Sequence, residues 1–243
     1  MNVGIVTVGN ELLSGETENT NASWLATQLT DRGVSVGRIT VVPDEVATIA
    51  DTVDWFTNRF DATIVTGGLG GTPDDLTMAA VAETFEQPLV PNERARENVT
   101  AAIRSYQAEN SDAAISIDIE SEASIPKGAR VLLNEPGLSP GCVLESVYVL
   151  PGIPSEMRSM FASVAHEFSG ERRTRTVYTT DPESQLIETL EAVTDSFAVS
   201  VGCYPDDAAG HNRLTLTGTN SAELTDAVAW LSERVELTSD SHQ

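Results

Sequence analysis

The chain is almost without lysine: Lys127 stands alone, and arginine supplies the rest of its 14 basic residues. Against 37 acidic residues they leave a formal charge of −23. Proteins that grip nucleic acid need a basic stripe, so this balance argues against nucleic-acid binding. Cysteine is scarce too. Cys142 and Cys203 have no Cys or His at metal-ligand spacing, which excludes a zinc-finger pattern. No disulfide framework is indicated, and the two read as small buried hydrophobes. No apolar run approaches the ~18 residues that a membrane helix needs. The N-terminus, MNVGIVTVGNE, lacks the basic region and cleavage site of a signal peptide and reads directly as a strand. These absences predict a cytoplasmic protein without membrane contact.

What is present suits a folded protein. Hydrophobic residues make up 40% of 243 residues, enough for one large domain and a small one. The acidic residues are spread along the chain rather than gathered in a tail. Such charge strains the compact state by self-repulsion. Concentrated salt screens it, since the Debye length falls to ~3 Å at 1 M. The composition therefore predicts a halophilic protein.

Strand and helix signals alternate through the first two thirds. VGIVTVG (3–9), VSVGRITVVP (34–43) and ATIVTG (62–67) read as strands. The helix after the first strand has Thr20 or Asn21 as its cap, Trp24, Leu25 and Leu29 on one face, and Gly33 just past its end. The helix over 44–60 has Asp44 as its cap and Ile49, Val53 and Phe56 in its apolar stripe. DDLTMAAVAETF reads as a third helix. Residues 92–110 look helical, and 111–124 are acidic without a clear period, fit for a lid or surface excursion. Strands over 129–134 and 141–152 precede a helix over 154–168. This order predicts a mostly parallel sheet with helices on both faces, an α/β three-layer sandwich over residues 1–170. From 174 to 238 the pattern becomes β-α-β-β-α, a small α+β domain behind the linker SGERR.

Three loops carry chemistry. TGGLGGTPDD (66–75) follows a strand and precedes a helix, with Gly67, Gly68, Gly70 and Gly71 followed by Thr72 and two aspartates. Glycines there permit positive φ and let backbone N–H groups meet an anion. The spacing is neither the dinucleotide fingerprint nor a Walker A loop. The same stretch also fits a tight turn with Asp74 or Asp75 as helix cap. GNELLSGETENTN (9–21) begins at Gly9 and carries Glu11, and Asp44 follows the second strand. In a parallel sheet these connections share one edge, where ligands bind. LPGIPSEM (150–157) brings Gly152, Ser155 as part of a helix start, and Glu156 in the first turn. No histidine falls in these loops.

Together GNELLSG…TN, TGGLGGTPDD and LPGIPSEM resemble the N-terminal domain of the CinA competence/damage-inducible proteins, which is similar to the MoaB/MogA molybdopterin-binding fold. The resemblance spans residues 3–168, and the 174–236 unit is similar to the small domain that follows in CinA-type chains. It implies a nucleotide or pterin ligand, a homo-oligomer, and one of three functions. These are metal-dependent hydrolysis of a nucleotide diphosphate such as ADP-ribose or FAD, molybdopterin adenylylation in molybdenum cofactor biosynthesis, and binding without turnover. The amidohydrolase domain of full-length CinA proteins has no counterpart before Gln243, so its deamidation is not expected.

Residue by residue, Asp75 and Asp44 align with the two functional aspartates of MogA-type proteins, and Glu11 matches the acid of the family's GDE motif. The resemblance thus implies Asp75 and Asp44 as catalytic residues. A divalent cation, Mg²⁺ in the first place, would be held by Asp75, Asp44 and Glu11. Gly9, the glycine loop with Thr72, Asn134, Gly152 and Ser155 are the ligand-binding expectation. Mg²⁺ takes one or two carboxylates plus substrate phosphate, which would reconcile an anion loop with its acidic exit. Three positions depart from the family pattern. Asn10 replaces the usual Asp, Gly71 stands where Pro is common, and DIESEA replaces a usually basic segment. The small domain has neither the GXXG loop nor the basic face of a KH unit, so no RNA affinity is expected.

Overall fold

The computed structural model describes residues 1–109, 117–135, 137–206 and 208–239. The chain divides into two compact units, Met1–Ser169 and Gly170–Gln243.

In the first unit β1 (Asn2–Val8) leads through a short helix α1 (Asn10–Leu13) into α2 (Thr20–Asp31). Then come β2 (Ser35–Val42), α3 (Val46–Thr57), β3 (Ala62–Thr66) and α4 (Thr77–Thr84). A pair of short strands, β4 (Leu89–Pro91) and β5 (Ser124–Pro126), brackets α5 (Glu93–Glu109) and α6 (Ile119–Glu122). The unit ends with β6 (Arg130–Leu132), β7 (Gly141–Leu144), β8 (Val147–Leu150) and α7 (Pro154–Val164). The main sheet runs β2-β1-β3-β8-β7-β6. Its first four strands are parallel, and β7 pairs antiparallel with both β8 and β6, so β7 alone runs against the rest. The sheet is thus mostly parallel, with an antiparallel margin where Glu145, at φ 51°, turns β7 back as β8.

Both faces are covered, which is why β1, β3 and β8 read as continuous apolar runs. One core joins Val6, Val65 and Val149 to α3 and α4. The other joins Ile5, Ile64 and Leu150 to Leu25 and Leu29 of α2 and to Met157 and Phe161 of α7. Ile49, Val53 and Phe56 form the buried stripe of α3, and Gly33 closes α2 at φ 76°.

Several caps differ from expectation. Asn19, not Thr20 or Asn21, caps α2 by accepting the Ala22 N–H at 3.2 Å. Asp44 does not cap α3: that place falls to Glu45, and Asp44 turns to the 9–21 loop instead. Neither Asp74 nor Asp75 caps α4, whose N-cap is Leu76. Ser155 lies inside α7, which starts on Pro154 without a side-chain cap. Of the acidic 111–124 stretch, residues 111–116 lie outside the described residues.

The second unit is β9 (Arg173–Thr179), α8 (Glu183–Ser196), β10 (Ser200–Asp206), β11 (His211–Gly218), α9 (Ser221–Ser232) and β12 (Leu237–Thr238). Its antiparallel sheet, β10-β11-β9-β12, packs Val177, Leu214 and Leu216 against Leu186, Val193, Leu224 and Leu231 of the two helices.

Candidate functional site

The parallel strands β2, β1, β3 and β8 deliver their C-terminal ends to one edge of the main sheet, and a cleft of about 240 Å³ lies there. Gly9, Glu11, Asp44, Gly67, Gly68, Asp75 and Gly152 all line it. Glu18, Asn19, Asn21, Thr7, Thr66 and Asp74 line it as well.

The floor is where β3 ends. Gly67 has φ 107° and Gly68 φ 63°, and a Cβ on Gly67 would run into Val8 O of the neighbouring strand. Only glycine meets both demands. The turn is held from three sides. Gly67 N donates to Leu150 O at 3.2 Å, Thr77 Oγ1 donates to Gly67 O at 2.8 Å, and Thr77 N donates to Gly68 O at 3.1 Å. Beyond it, the N–H groups of Gly68, Leu69, Gly70 and Gly71 meet no acceptor among the described residues. Consecutive N–H groups of this kind suit an anion.

Asp75 closes the loop. Its Oδ2 accepts Thr72 N at 2.9 Å and Thr72 Oγ1 at 2.5 Å. Thr72 Oγ1 also reaches Asp74 Oδ1, but one hydroxyl proton serves one carboxylate at a time. That hydroxyl, with Asp74's own backbone N–H, holds the exposed Asp74 carboxyl below its ordinary range. Asp44 Oδ2 accepts Asn10 N at 2.8 Å, tying the β2 exit to the 9–21 loop. The Glu11 carboxylate folds back so closely over Gly9 that a Cβ there would sit 2.5 Å from it.

The 9–21 and 150–157 loops are tied together. Asn21 Nδ2 donates to Gly152 O at 2.6 Å, Thr66 Oγ1 donates to Pro151 O at 2.7 Å, and Asn19 Nδ2 donates to Thr7 Oγ1 at 2.9 Å. Asn21 Oδ1 is buried without a partner among the described residues. Sequence reading missed Asn21 and Thr66. The run ENTN offers several capping residues, and placing the cap one or two residues late hides the asparagine that faces the cleft.

The expected residues do not all converge. Gly70, Gly71, Thr72, Asn134 and Ser155 are not part of the cleft lining. Asn134 is fully buried and serves its own loop, donating to Ser139 O at 3.0 Å and to Glu156 Oε2 at 2.7 Å. Asp75, Asp44 and Glu11 share the cleft, yet among the described residues no three His, Cys, Asp or Glu side chains stand close enough to hold an ion by themselves. The donor set is nevertheless of hard carboxylate oxygens. It fits a Mg²⁺-like ion taken by one or two carboxylates together with a ligand's phosphate, rather than a preformed cage.

Glu122 belongs to the acidic DIESEA segment, which the sequence marks as a departure from the family pattern without placing it at the glycine loop. Pairing of β4 with β5 and the bond from Asn92 N to Ala123 O bring the end of α6 back to the glycine loop. Ser139 Oγ donates to Glu122 Oε1, and Glu122 Oε2 lies 3.2 Å from where a Cβ on Gly71 would sit. Burial pushes the Glu122 carboxyl above its ordinary range; the Ser139 hydroxyl opposes this, and the charge of Asp75 adds to it.

Comparison with known proteins follows this division of the chain. A family model described as a probable molybdopterin binding domain matches residues 4–169. A second, described as the middle domain of FAD synthase, matches residues 172–240. A protein of Archaeoglobus fulgidus is 33% identical over 231 residues, 94% of this chain and 96% of its own. A CinA-like protein of a Synechococcus species is 35% identical over 233 residues, 90% of this chain and 54% of that protein, so the chain spans about half of that relative. The crystal structure of a CinA protein of unknown function from Thermoplasma acidophilum superposes with a TM-score of 0.62 at 31% identity, covering 70% of this chain and 99% of that one.

Proposed function

The chain belongs to the family of the probable molybdopterin binding domain, in its CinA-like form, and on that premise we propose that the cleft binds a phosphate-bearing nucleotide or pterin and hydrolyses a nucleotide diphosphate with a divalent cation. The observation that carries this is the Gly67–Gly68 turn, with donor N–H groups beyond it, set among carboxylates at the end of a parallel sheet. An anion loop beside acidic side chains is self-defeating for a bare phosphate and coherent for a phosphate that carries a cation.

In this reading the N–H of Gly68, which lines the cleft, together with those of the loop that leaves the cleft toward Gly71, binds and orients one phosphate. Asp75 and Asp44 would hold the cation. When bound, the cation neutralises phosphate charge and polarises the phosphorus centre. Thr72 fixes the Asp75 carboxylate through Oδ2, and the Asn10 N–H fixes that of Asp44. Asn21 positions the third loop against the floor of the cleft. The test is release of AMP from ADP-ribose and from FAD, followed by chromatography with Mg²⁺ present or chelated. AMP that appears only with the cation supports the reading. No AMP from either substrate with any divalent metal overturns hydrolysis.

A second reading is binding without turnover, which Asn10 in place of the family's usual Asp and the acidic DIESEA segment in place of a basic one favour. Saturable nucleotide or pterin binding without product would select it. Molybdopterin adenylylation, a transfer at the same cleft, would show as rescue of molybdoenzyme activity in a deficient strain.

A further inference from the structure

We propose that Glu122 makes anion binding at the glycine loop cation-dependent: held by Ser139 against Gly71, next to the Asp75 that lies against Gly70, it repels a bare phosphate and admits one paired with a divalent cation. This rests on the phosphate-binding reading of the loop and adds a specificity-determining residue to it.

The geometry is specific. A Cβ on Gly70 would sit 2.5 Å from Asp75 Oδ2, and one on Gly71 would sit 3.2 Å from Glu122 Oε2. Two carboxylates therefore lie beside adjacent glycines of the loop whose N–H groups lack acceptors among the described residues. Neither is neutralised there: the ion pairs among the described residues use Glu93, Glu120, Glu167 and Glu233. Glu122 cannot easily swing away, because Ser139 holds Oε1 and the β4–β5 pair anchors the segment behind it. It is partly buried, so solvent screens it less than a surface carboxylate. A phosphate entering alone meets two fixed negative charges, whereas a phosphate bridged by a cation meets two ligands. Gly71 matters here, because a Cβ at that position would crowd the Glu122 carboxylate and oblige it to shift by a few tenths of an ångström.

The test is calorimetric titration of the full chain with ADP-ribose and, in parallel, with pyrophosphate, each in chelator and in excess Mg²⁺. Wild type should bind both ligands at least about tenfold more tightly with Mg²⁺, and Glu122→Gln should tighten binding in chelator by about tenfold, as removal of one nearby charge implies. Ser139→Ala, which frees Glu122 without removing its charge, should show the same trend more weakly. Glu120→Gln, altered on the same short helix but paired with Arg96, should match wild type. Glu122→Gln equal to wild type in chelator, with either ligand that binds, overturns the proposal. If pyrophosphate shows the Glu122→Gln effect while ADP-ribose never binds, the role of Glu122 stands and the nucleotide reading falls. If neither ligand binds under any condition, both fall.

Discussion

Asp75 and Asp74 are neighbours with the same chemistry and different surroundings. Asp75 accepts two bonds from Thr72 on Oδ2 and lies against Gly70, whereas Asp74 shares only the Thr72 hydroxyl and is exposed. Asn at position 75 keeps an oxygen for the Thr72 N–H, so Asp75→Asn should change stability by less than ~1 kcal/mol. It removes an anionic oxygen from a cation held by few protein ligands. Metal-dependent turnover, or metal-assisted nucleotide binding, should fall on the order of a hundredfold, ~2.7 kcal/mol. Asp74→Asn should be milder in the same assay, and equal small effects would return the loop to an ordinary turn. A second prediction concerns Cys142, which is fully buried, and whose thiol burial pushes up to about 12. A thiol is reactive as thiolate. Alkylation at neutral pH should spare Cys142 until the chain unfolds, and prompt labelling, read by peptide mass, would show that its surroundings open. At this scale the sequence names Asp75, Asp44 and Glu11 as cleft residues because strand ends in a parallel sheet share an edge. It marks the segment that holds Glu122 only as a departure from the family pattern, without placing it at the loop, and it does not reveal Asn21. One arrives through a strand pairing between distant segments, and the other is told from its neighbours only by which asparagine takes the cap.

The elements that are legible in the sequence are those with a period to read. The main strands and α2, α3 and α7 follow from apolar runs and buried stripes. The short pieces β4, β5, α1 and α6 are too brief to carry a period, and they form because tertiary contacts hold them. Two junctions between elements can be tested. At the floor of the cleft β1, β3 and the β8 exit meet around Gly67. Gly67→Ala imposes a left-handed φ on a side chain and drives its Cβ toward Val8 O. The cost should be about 1–3 kcal/mol, read from urea melts, with loss of ligand binding. Gly15→Ala, also at positive φ but with open space around it, should pay only the backbone term and keep the cleft working. At the far side, Tyr148 of β8 donates to Glu167 Oε2 at 2.9 Å, and Arg130 of β6 grips the same carboxylate at 2.8 Å. Burial, then the bond to Glu167 and its charge, push the Tyr148 phenol up to about 12, with Arg130 opposing. A raised folded pKa means that the neutral phenol stabilises the fold below about pH 10 and that this contribution is lost as the pH climbs toward 12. Tyr148→Phe should therefore cost about 1 kcal/mol at neutral pH, a penalty that shrinks above pH 10. A penalty independent of pH would place the effect in packing instead.

Over the whole molecule the balance of charge decides how salt acts. Added salt weakens attractive ion pairs and relieves repulsion, and the two push stability in opposite directions. The attractive side is small. Among the described residues the ion pairs are Arg96 with Glu93 and Glu120, Arg130 with Glu167, and Arg234 with Glu233. Exposed pairs of this kind contribute about 0–1 kcal/mol each. Several other arginines lie over aromatic rings instead: Arg38 and Arg59 over Trp55, Arg158 over Trp24, Arg213 over Tyr204. These contacts leave most of the 37 acidic residues to face solvent and one another at a net −23. Relief of repulsion should win. We propose that the chain is adapted to high salt, and that its melting temperature rises as KCl goes from ~0.1 M to ~1 M, where the Debye length drops from ~10 to ~3 Å. Each unit has its own core, and the melting of both should move. The shape of the rise identifies its cause. A screening effect levels off once the Debye length is shorter than the spacing between carboxylates, near 1 M. Exclusion of salt from the protein surface keeps adding stability in proportion to concentration. A rise that saturates supports charge relief. A straight line through several molar assigns the gain to surface exclusion, and a flat or falling curve removes the adaptation altogether.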